Sequence, residues 1–402
     1  MTACSFGASS PSSRNSSAVV SNNSSRSGLD HMFEVTIENS FDFRSKEYAA
    51  LFSNSAATAF QHPIWLTNLY EKIIARGDVE PLVIAVRERS GARLAMVLPM
   101  VKRRYAVLKI VGFADMDVCD YISPVVDHAT FQRIIEDAAV TAAIRNCIKP
   151  YDILRIGKIV DPFLPLERLF NVNGRASMNV SAYASKLESS FAAWREARLS
   201  RSYRKRLDKK SRQLHRMGDV SFSSVEKPAA IQTICEALRV YRGKRFDGSR
   251  GPADLLQLPS YYAFYAAVAT EGLGRFARTY AIWMDGRPIA GALGLAHRNA
   301  FLVILVGFDA ATYAKQSIGS LLFEKIAEDC IRRGEAYLDF TIGDEPYKRK
   351  FGGLASPMWQ VHQIGSFLGG ATQLVIDKLP LSRAVAGRLI RGRSKSRSEP
   401  AS

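Results

Sequence analysis

Two short segments, "YDILRIG" at 151–157 and "YLDFTIG" at 337–343, each close a run of elements in the same order. That repetition constrains the fold more than any other feature of the sequence. Ahead of the first lie "PLVIAVRE" and "LAMVLPMVKRR" across the break "RSGAR", which read as a strand hairpin by alternation and turn residues. "VLKIVGF" follows as a strand, and "HATFQRIIEDAAVTAAIRNC" has helical spacing. Ahead of the second lie "GRFARTYAIWM", the tight turn "DG", "RPIAGALGLA" and "NAFLVILVGF", all strands, then the helix "SIGSLLFEKIAEDCIRRG" with Gly334 at its C-cap. Strand, strand, strand, helix, strand occurs twice, so a duplicated αβ unit is expected. A strand at "MFEVTIENSF" and helices at "SKEYAALFSNS" and "HPIWLTNLYEKIIA" precede the first series.

The length, 402 residues, accommodates two such units. The boundaries read as a Ser-rich tail over 1–31, a first unit over 32–170, a second over 180–362 and a terminal segment over 363–402. The tail lacks the apolar core of a secretory signal and reads as disordered, and Met32 is a second candidate start. No stretch reaches the roughly 18 apolar residues of a membrane span, so the expected compartment is the cytoplasm. The five cysteines are spread out with no CxxC pair, and the histidines have no metal-ligand spacing, so neither a disulfide framework nor a metal site is expected.

The net charge is +17, which favours anionic partners. The charge concentrates in "REARLSRSYRKRLDKKSRQLHRMG", 195–218, where Leu199, Tyr203, Leu207 and Leu214 can line one helical face. This helix is read in turn as solvated, as a contact for coenzyme or tRNA phosphates, or as a contact for an acidic membrane face. No aromatic residues interleave the charges as a base-stacking platform would require, and DNA is not an expected partner. The terminal "VIDKLPLSRAVAGRLIRGRSKSRSEPAS" adds a short amphipathic segment and a basic tail.

Three stretches carry candidate chemistry. In "YAKQSIGSLLFEK" a helix opens through a small-residue loop, and free N–H groups there favour an anion such as a coenzyme pyrophosphate. Its candidate residues are Lys315, Gln316, Ser317, Ile318, Gly319 and Ser320. In "YLDFTIGDEPYKRKFG" Asp339 sits among apolar neighbours, either as a general base or as an internal hydrogen-bond acceptor, while Tyr347 can protonate a leaving thiolate or pack. Lys348 follows as a further catalytic candidate. In "YRGKRFDGSRG" Arg242, Lys244 and Arg245 are candidate contacts for an anionic acceptor or part of an exposed loop.

The order of hairpin, strand, glycine loop, helix and strand resembles the acyl-CoA N-acyltransferase (GNAT) fold. Gln316 and Gly319 match that family's Gln/Arg-x-x-Gly-x-Gly/Ala loop, and Leu321 stands at its last small position. "YLDFTIGDEPYKRKFG" looks like the closing signature of the acyltransferases linked to cellulose and exopolysaccharide biosynthesis (CelD/BcsL-like). That family is similar to the Fem-type aminoacyltransferases, which carry two fused GNAT-like units. The resemblance covers most of 180–352 and extends more weakly over 33–165. It implies an α/β fold of tandem GNAT-like units with mixed sheets flanked by helices. It also implies transfer of an acyl group, acetyl foremost, from acyl-CoA to an amine or hydroxyl of a sugar or polysaccharide precursor, without a metal. In Fem-type relatives a lysine in a similar Tyr-Lys context lies on the donor or phosphate side, which would give Lys348 that place. The rival readings are an aminoacyl-tRNA donor, or an inactive scaffold in a polysaccharide secretion complex.

Overall fold

The computed structural model describes residues 32–370 apart from 39, 77–78, 106, 226 and 246–253. The Ser-rich tail, the basic tail from 371 onward and the loop at 246–251 therefore lie outside the described residues. The elements run β1 (Phe33–Ile37), α1 (Lys46–Asn54), α2 (Pro63–Asn68), β2 (Val79–Glu88), β3 (Leu94–Tyr105), β4 (Leu108–Phe113), α3 (His128–Glu136), α4 (Ala138–Ile148), β5 (Ile153–Ile159), α5 (Leu166–Phe170) and β6 (Ala176–Lys186). There follow α6 (Phe191–Arg198), α7 (Arg201–His215), β7 (Val220–Ser224), α8 (Pro228–Arg245), α9 (Pro259–Glu271), β8 (Ala277–Met284), β9 (Arg287–His297), β10 (Ala300–Phe308), α10 (Ala310–Tyr313), α11 (Ile318–Arg332), β11 (Tyr337–Ile342), α12 (Pro346–Lys350) and β12 (Leu354–Ile364).

The 12 strands among the described residues form one sheet in the order β1-β2-β3-β4-β5-β12-β6-β11-β10-β9-β8-β7. The order is a palindrome of two equivalent sets: β1 to β5 match β7 to β11, and β12 matches β6. Each set is an antiparallel meander whose last strand returns parallel, β5 beside β4 and β11 beside β10, after a helical crossover. The sixth strand of each set is exchanged: β6 pairs with β11, and β12 pairs with β5. The two exchanged strands pair antiparallel at the centre and weld the sets together.

Strand alternation sends residues to two apolar layers. Tyr280, Ile282, Phe301 and Val303 join Trp194, Tyr203, Leu207, Leu322 and Phe351 beneath α6, α7 and α11. Ala281, Leu302 and Leu305 point the other way, to Leu238, Phe264 and Val268 of α8 and α9, in a core continuous with that of the first set. The basic stretch at 195–218 is two helices: Leu199 turns extended and Ser200 caps α7 through the Tyr203 N–H. Leu199, Tyr203, Leu207 and Leu214 are buried on it, and its cations face outward. The single helix expected over 128–147 likewise breaks at Asp137, whose carboxylate caps α4 by accepting from the N–H groups of Ala139 and Val140. Among the described residues, no helix is long and apolar enough to cross a membrane.

The parallel ladders are short, and what happens beyond them distinguishes the sets. In the first, β4 meets β5 only at Ile110–Ile153 and Val111–Leu154. The chain leaving β4 then turns back into the opening, and Ile122 forms a parallel bridge to Ile159 of β5. Its N–H donates to the Lys158 carbonyl at 3.0 Å. Gly112 permits this closeness, since a Cβ there would lie 2.4 Å from the Arg155 carbonyl oxygen. Gly112→Ala must push β4 off β5, and a loss of about 1–3 kcal/mol in urea unfolding is expected. In the second set, β10 and β11 pair from Ala300–Tyr337 to Leu302–Asp339. Beyond that point β10 runs on to Phe308 with an extra residue at Ile304, and no described strand fills the gap.

Candidate active site

The open gap beside β10 is lined by groups from both sets. Asp339 stands at the last β10–β11 pair. Its Oδ1 accepts from the Tyr121 hydroxyl at 2.8 Å and from the Thr341 N–H at 2.7 Å. Tyr121 belongs to the loop that closes the first set. Thr341 has φ of 58°, an uncommon conformation for a β-branched residue. It interrupts the β11–β6 register between Asp339 and Ile342, turns its N–H to Asp339 and brings its hydroxyl close enough to Asp120 to favour that carboxylate's charge. Two carboxylates, one from each set, thus lie on either side of one threonine.

Burial dominates the electrostatics. It pushes the Asp339 carboxyl up to about 6, against the lowering effect of the Tyr121 and Thr341 bonds, with Asp120 adding to the rise. Burial also raises Asp120, opposed by Lys158, the Thr341 hydroxyl and Lys348. Lys158 comes from the equivalent end of β5, itself at φ of 60°. Its ammonium donates to the Cys119 carbonyl at 2.8 Å and pairs with Asp115 at 3.1 Å. Burial works against that charge, yet Asp115 and Asp120 hold the Lys158 ammonium above its ordinary value.

A cavity of about 300 Å³ opens here, with Asp117, Val118 and Asp120 on the first-set side and Ile304 and Leu305 of β10 on the other. Arg242, Asp254 and Tyr265 complete its polar wall. Arg242 is a strut within that wall: its Nη2 donates to Asp254 at 2.7 Å and its Nη1 to the Val306 carbonyl at 3.2 Å. That carbonyl lies on the stretch of β10 that β11 leaves open.

The other sequence candidates divide clearly. Lys348 is 2% exposed. Its Nζ donates to the carbonyls of Thr341 at 3.1 Å and Ile342 at 2.8 Å and meets Glu345 at 3.1 Å. Its three donors are engaged, so as placed it supports the strained end of β11 and has none left for a phosphate. Tyr347 stacks on Phe323 of α11 at 4.9 Å, and burial raises its phenol, with Glu345 adding to the rise and Arg245 and Asp120 close enough to act on it. Arg245 lies over the Phe308 ring at 5.8 Å, and Lys244 is exposed at the end of α8. Residues 241–245 are therefore the last turn of a helix, where the sequence left an exposed loop as an alternative.

At the α11 entrance, Lys315 is exposed and Gln316 half-buried, and Ser317 takes φ of 54° without a side-chain cap bond. Ile318 and Gly319 are buried in the first turn. The space a Cβ would need at Gly319 is taken by the Phe308 ring, 2.8 Å away. Gly319 thus admits an aromatic ring of its own chain. The Tyr203 hydroxyl lies close enough to Ser320 to feel it, so the basic helix α7 stands beside this entrance, with Arg206 over the Tyr203 ring at 4.8 Å. The equivalent entrance in the first set differs in charge. Asp127 caps α3 by accepting from the Thr130 N–H at 2.9 Å, so a fixed carboxylate already occupies it.

Sequence reasoning missed Asp120, Tyr121, Lys158 and Thr341. The first had a visible signal: "FADMDVCDYISP" sets three acids among apolar residues, the same pattern that marked Asp339.

Comparisons with known proteins follow this geometry. Residues 201–349 match the family model described as acetyltransferase (GNAT) domain. The structure of FemX superposes with a TM-score of 0.55 at 11% identity, covering 78% of this chain and 95% of that one. A conserved protein of unknown function from Bacteroides thetaiotaomicron gives 0.51 at 12% identity, covering 81% and 99%. L-PGS from Bacillus licheniformis gives 0.51 at 10% identity, covering 87% and 98%. At such identities the likeness is one of fold. No curated protein matches the sequence. Residues 201–349 are thus similar in sequence to an acetyltransferase (GNAT) domain, and the chain as a whole has a mixed α/β fold like that of FemX.

Proposed function

We propose that the second set of elements performs acyl transfer from an acyl-CoA thioester to an amine or hydroxyl of a sugar-type acceptor, and that the first set has no donor site of its own. The observation that carries this reading is the asymmetry of the two gaps. The β4–β5 opening is filled by its own chain, and its helix entrance holds Asp127. The β10–β11 opening faces a cavity, and its helix entrance has no side-chain cap and is flanked by Lys315 and α7.

In this reading the coenzyme pyrophosphate meets the N–H groups at Ile318 and Gly319, with Lys315, Gln316, Ser317 and Ser320 around it. The acyl group enters the gap, where a β10 N–H beyond Leu302 can polarise the thioester carbonyl. The acceptor arrives through the cavity between the sets and is held for direct attack. Its proton passes to the carboxylates on either side of Thr341, and Tyr347 stands on the α11 side to protonate the departing thiolate. Lys348 positions Thr341. The sugar-type acceptor, with a place in cellulose or exopolysaccharide biosynthesis, rests on the resemblance of the 337–352 stretch alone.

The placement of α7 beside α11 favours one second reading, an aminoacyl-tRNA donor whose phosphates lie along the basic helix. Thermal unfolding with acetyl-CoA and, separately, with alanyl-tRNA distinguishes the two. Acetyl-CoA at a hundredfold excess over its dissociation constant is expected to add about 2.7 kcal/mol. Gly319→Trp drives Phe308 aside and should abolish that gain. Stabilisation by alanyl-tRNA and none by acetyl-CoA would transfer the proposal to the second donor. Silence to both would favour an inactive scaffold.

A further inference from the structure

We infer that the first set supplies the proton acceptor for the second set's reaction, and that this group is Asp120. The inference rests on the acyl-transfer reading and narrows its chemistry to one residue in a loop that neither the domain match nor the sequence motifs include.

The two carboxylates are not equivalent. Asp339 accepts the Tyr121 hydroxyl with both oxygens and also the Thr341 N–H, so both of its oxygens are engaged in holding the loop against β11. Asp339 does not line the cavity, and Asp120 does. Asp120 faces Ile304 and Leu305, the irregular part of β10 just past the last β11 pair. A nucleophile in the cavity therefore sits between Asp120 and the gap in which the acyl carbon must lie.

The loop that carries Asp120 is fixed on several sides. The Trp65 indole N–H donates to Cys119 Sγ at 3.2 Å, the Tyr261 hydroxyl to the Met116 carbonyl at 3.1 Å, and Lys158 to the Cys119 carbonyl at 2.8 Å. The chain segment that closed the first set's own gap is the segment that delivers Asp120 to the other gap. Loss of one donor site and gain of a catalytic group are one structural event.

The step balances simply. The acceptor's N–H or O–H proton passes to Asp120 Oδ as its lone pair forms a bond to the thioester carbonyl carbon. The C–S bond breaks, and the thiolate leaves and takes up a proton to give free CoA thiol. Asp120 then returns its proton to water. The charged and titratable groups around Asp120 are Lys158, Asp115, Asp117, Cys119 and Tyr121 from the first set, Asp339 from β11, Lys348 and Tyr347 from α12, Tyr265 from α9, and Arg242 and Asp254 across the cavity. Burial raises the Asp120 carboxyl above its ordinary value, in the direction a general base needs.

The test measures CoA thiol released from acetyl-CoA with glucosamine as the acceptor probe, across pH 5 to 9, for the full chain and its variants. Asp120→Asn is expected to lower kcat by about a hundredfold to ten-thousandfold, to leave acetyl-CoA binding in thermal shift unchanged, and to remove the acidic limb of the pH profile. Asp120→Glu should restore part of the rate. Asp339→Asn should keep the limb. In a second measurement, carbodiimide with methylamine at pH 6, followed by peptide mass analysis, should label Asp120 and spare Asp339. Release that survives Asp120→Asn with its acidic limb intact overturns the role of Asp120. So does labelling of Asp339 in its place. Release by no form of the protein, including the unsubstituted chain, overturns the transfer reading itself and the proton role with it.

Discussion

Lys348→Met is expected to lower the unfolding free energy by about 3 kcal/mol and to abolish turnover. The ammonium is the hydrogen-bond partner of the Thr341 and Ile342 carbonyls in a site 2% exposed. Methionine fills the volume but donates nothing. Each charge-assisted bond is worth about 1.5–3 kcal/mol, and the Glu345 partner is half exposed, so its release adds little. The more specific consequence concerns Thr341. Its left-handed backbone persists only while its surroundings over-determine it. Without Lys348 the strand end relaxes, and the contacts with Asp339 and Asp120 are lost together. Urea unfolding and CoA-release assays measure the two effects. Unchanged stability would show that the buried ammonium is not the support described.

Acid should loosen the joint between the two sets well before it unfolds an average protein. The His62 ring stacks on Phe276 at 3.8 Å, and its Nδ1 accepts from the Ile64 N–H. His297 Nε2 lies 3.1 Å from the Ala57 carbonyl, across the joint. Burial holds both imidazoles neutral, down to about 4, with His297 also disfavouring charge on His62. Their folded values lie below the ordinary 6.5 or so, and the unfolded chain therefore binds two protons that the fold refuses. Stability falls as pH drops below about 6.5 and stops falling below about 4. Asp339 works in the opposite sense: near 6 when folded, it keeps a proton that the unfolded chain releases until about 3.8. The net uptake on unfolding between pH 6 and 4 is about one proton from these three groups, a slope of about 1.4 kcal/mol per pH unit. Raised Asp120 softens it further. Asp339→Asn should steepen the slope and His297→Gln should flatten it. Urea midpoints at pH 7, 6, 5 and 4.5 give the comparison, and a level profile in the unsubstituted protein would count against neutral burial of the pair.

Nine of the ten strands of the two meanders were legible because hydrophobic alternation and turn residues are local signals, whereas β7, the short polar edge "VSFSS", was not. The exchanged strands were not. In β6, "ASMNVSAYASK", the small residues alanine and serine occupy most positions, and β12, "LASPMWQVHQI", carries a proline. Neither shows a clean period, because both lie at the centre of the sheet where the sets meet. Their pairing is also nonlocal: Trp359 lies opposite Ile159, a separation that no local pattern encodes. Of the site, Asp339 and Tyr347 were legible as odd residues beside a strand end. Lys348 was seen, but its burial depends on how α12 folds back on β11, which the motif does not specify. Asp120 lies 219 positions before Asp339 and meets it only through Thr341, so its role required the assembled sheet.

The exchange of β6 and β12 has a consequence for lineage. Two identical chains, each lending its final strand to the other about a two-fold axis, would make the same palindromic sheet. Joining the end of one chain to the start of the next would turn that dimer into this molecule without moving a strand. In such a joined molecule the two copies are free to differ, and one opening can close while the other stays open. A cut between β6 and α6 should therefore leave two fragments that are each unfinished alone and reassemble when mixed, as former partners would.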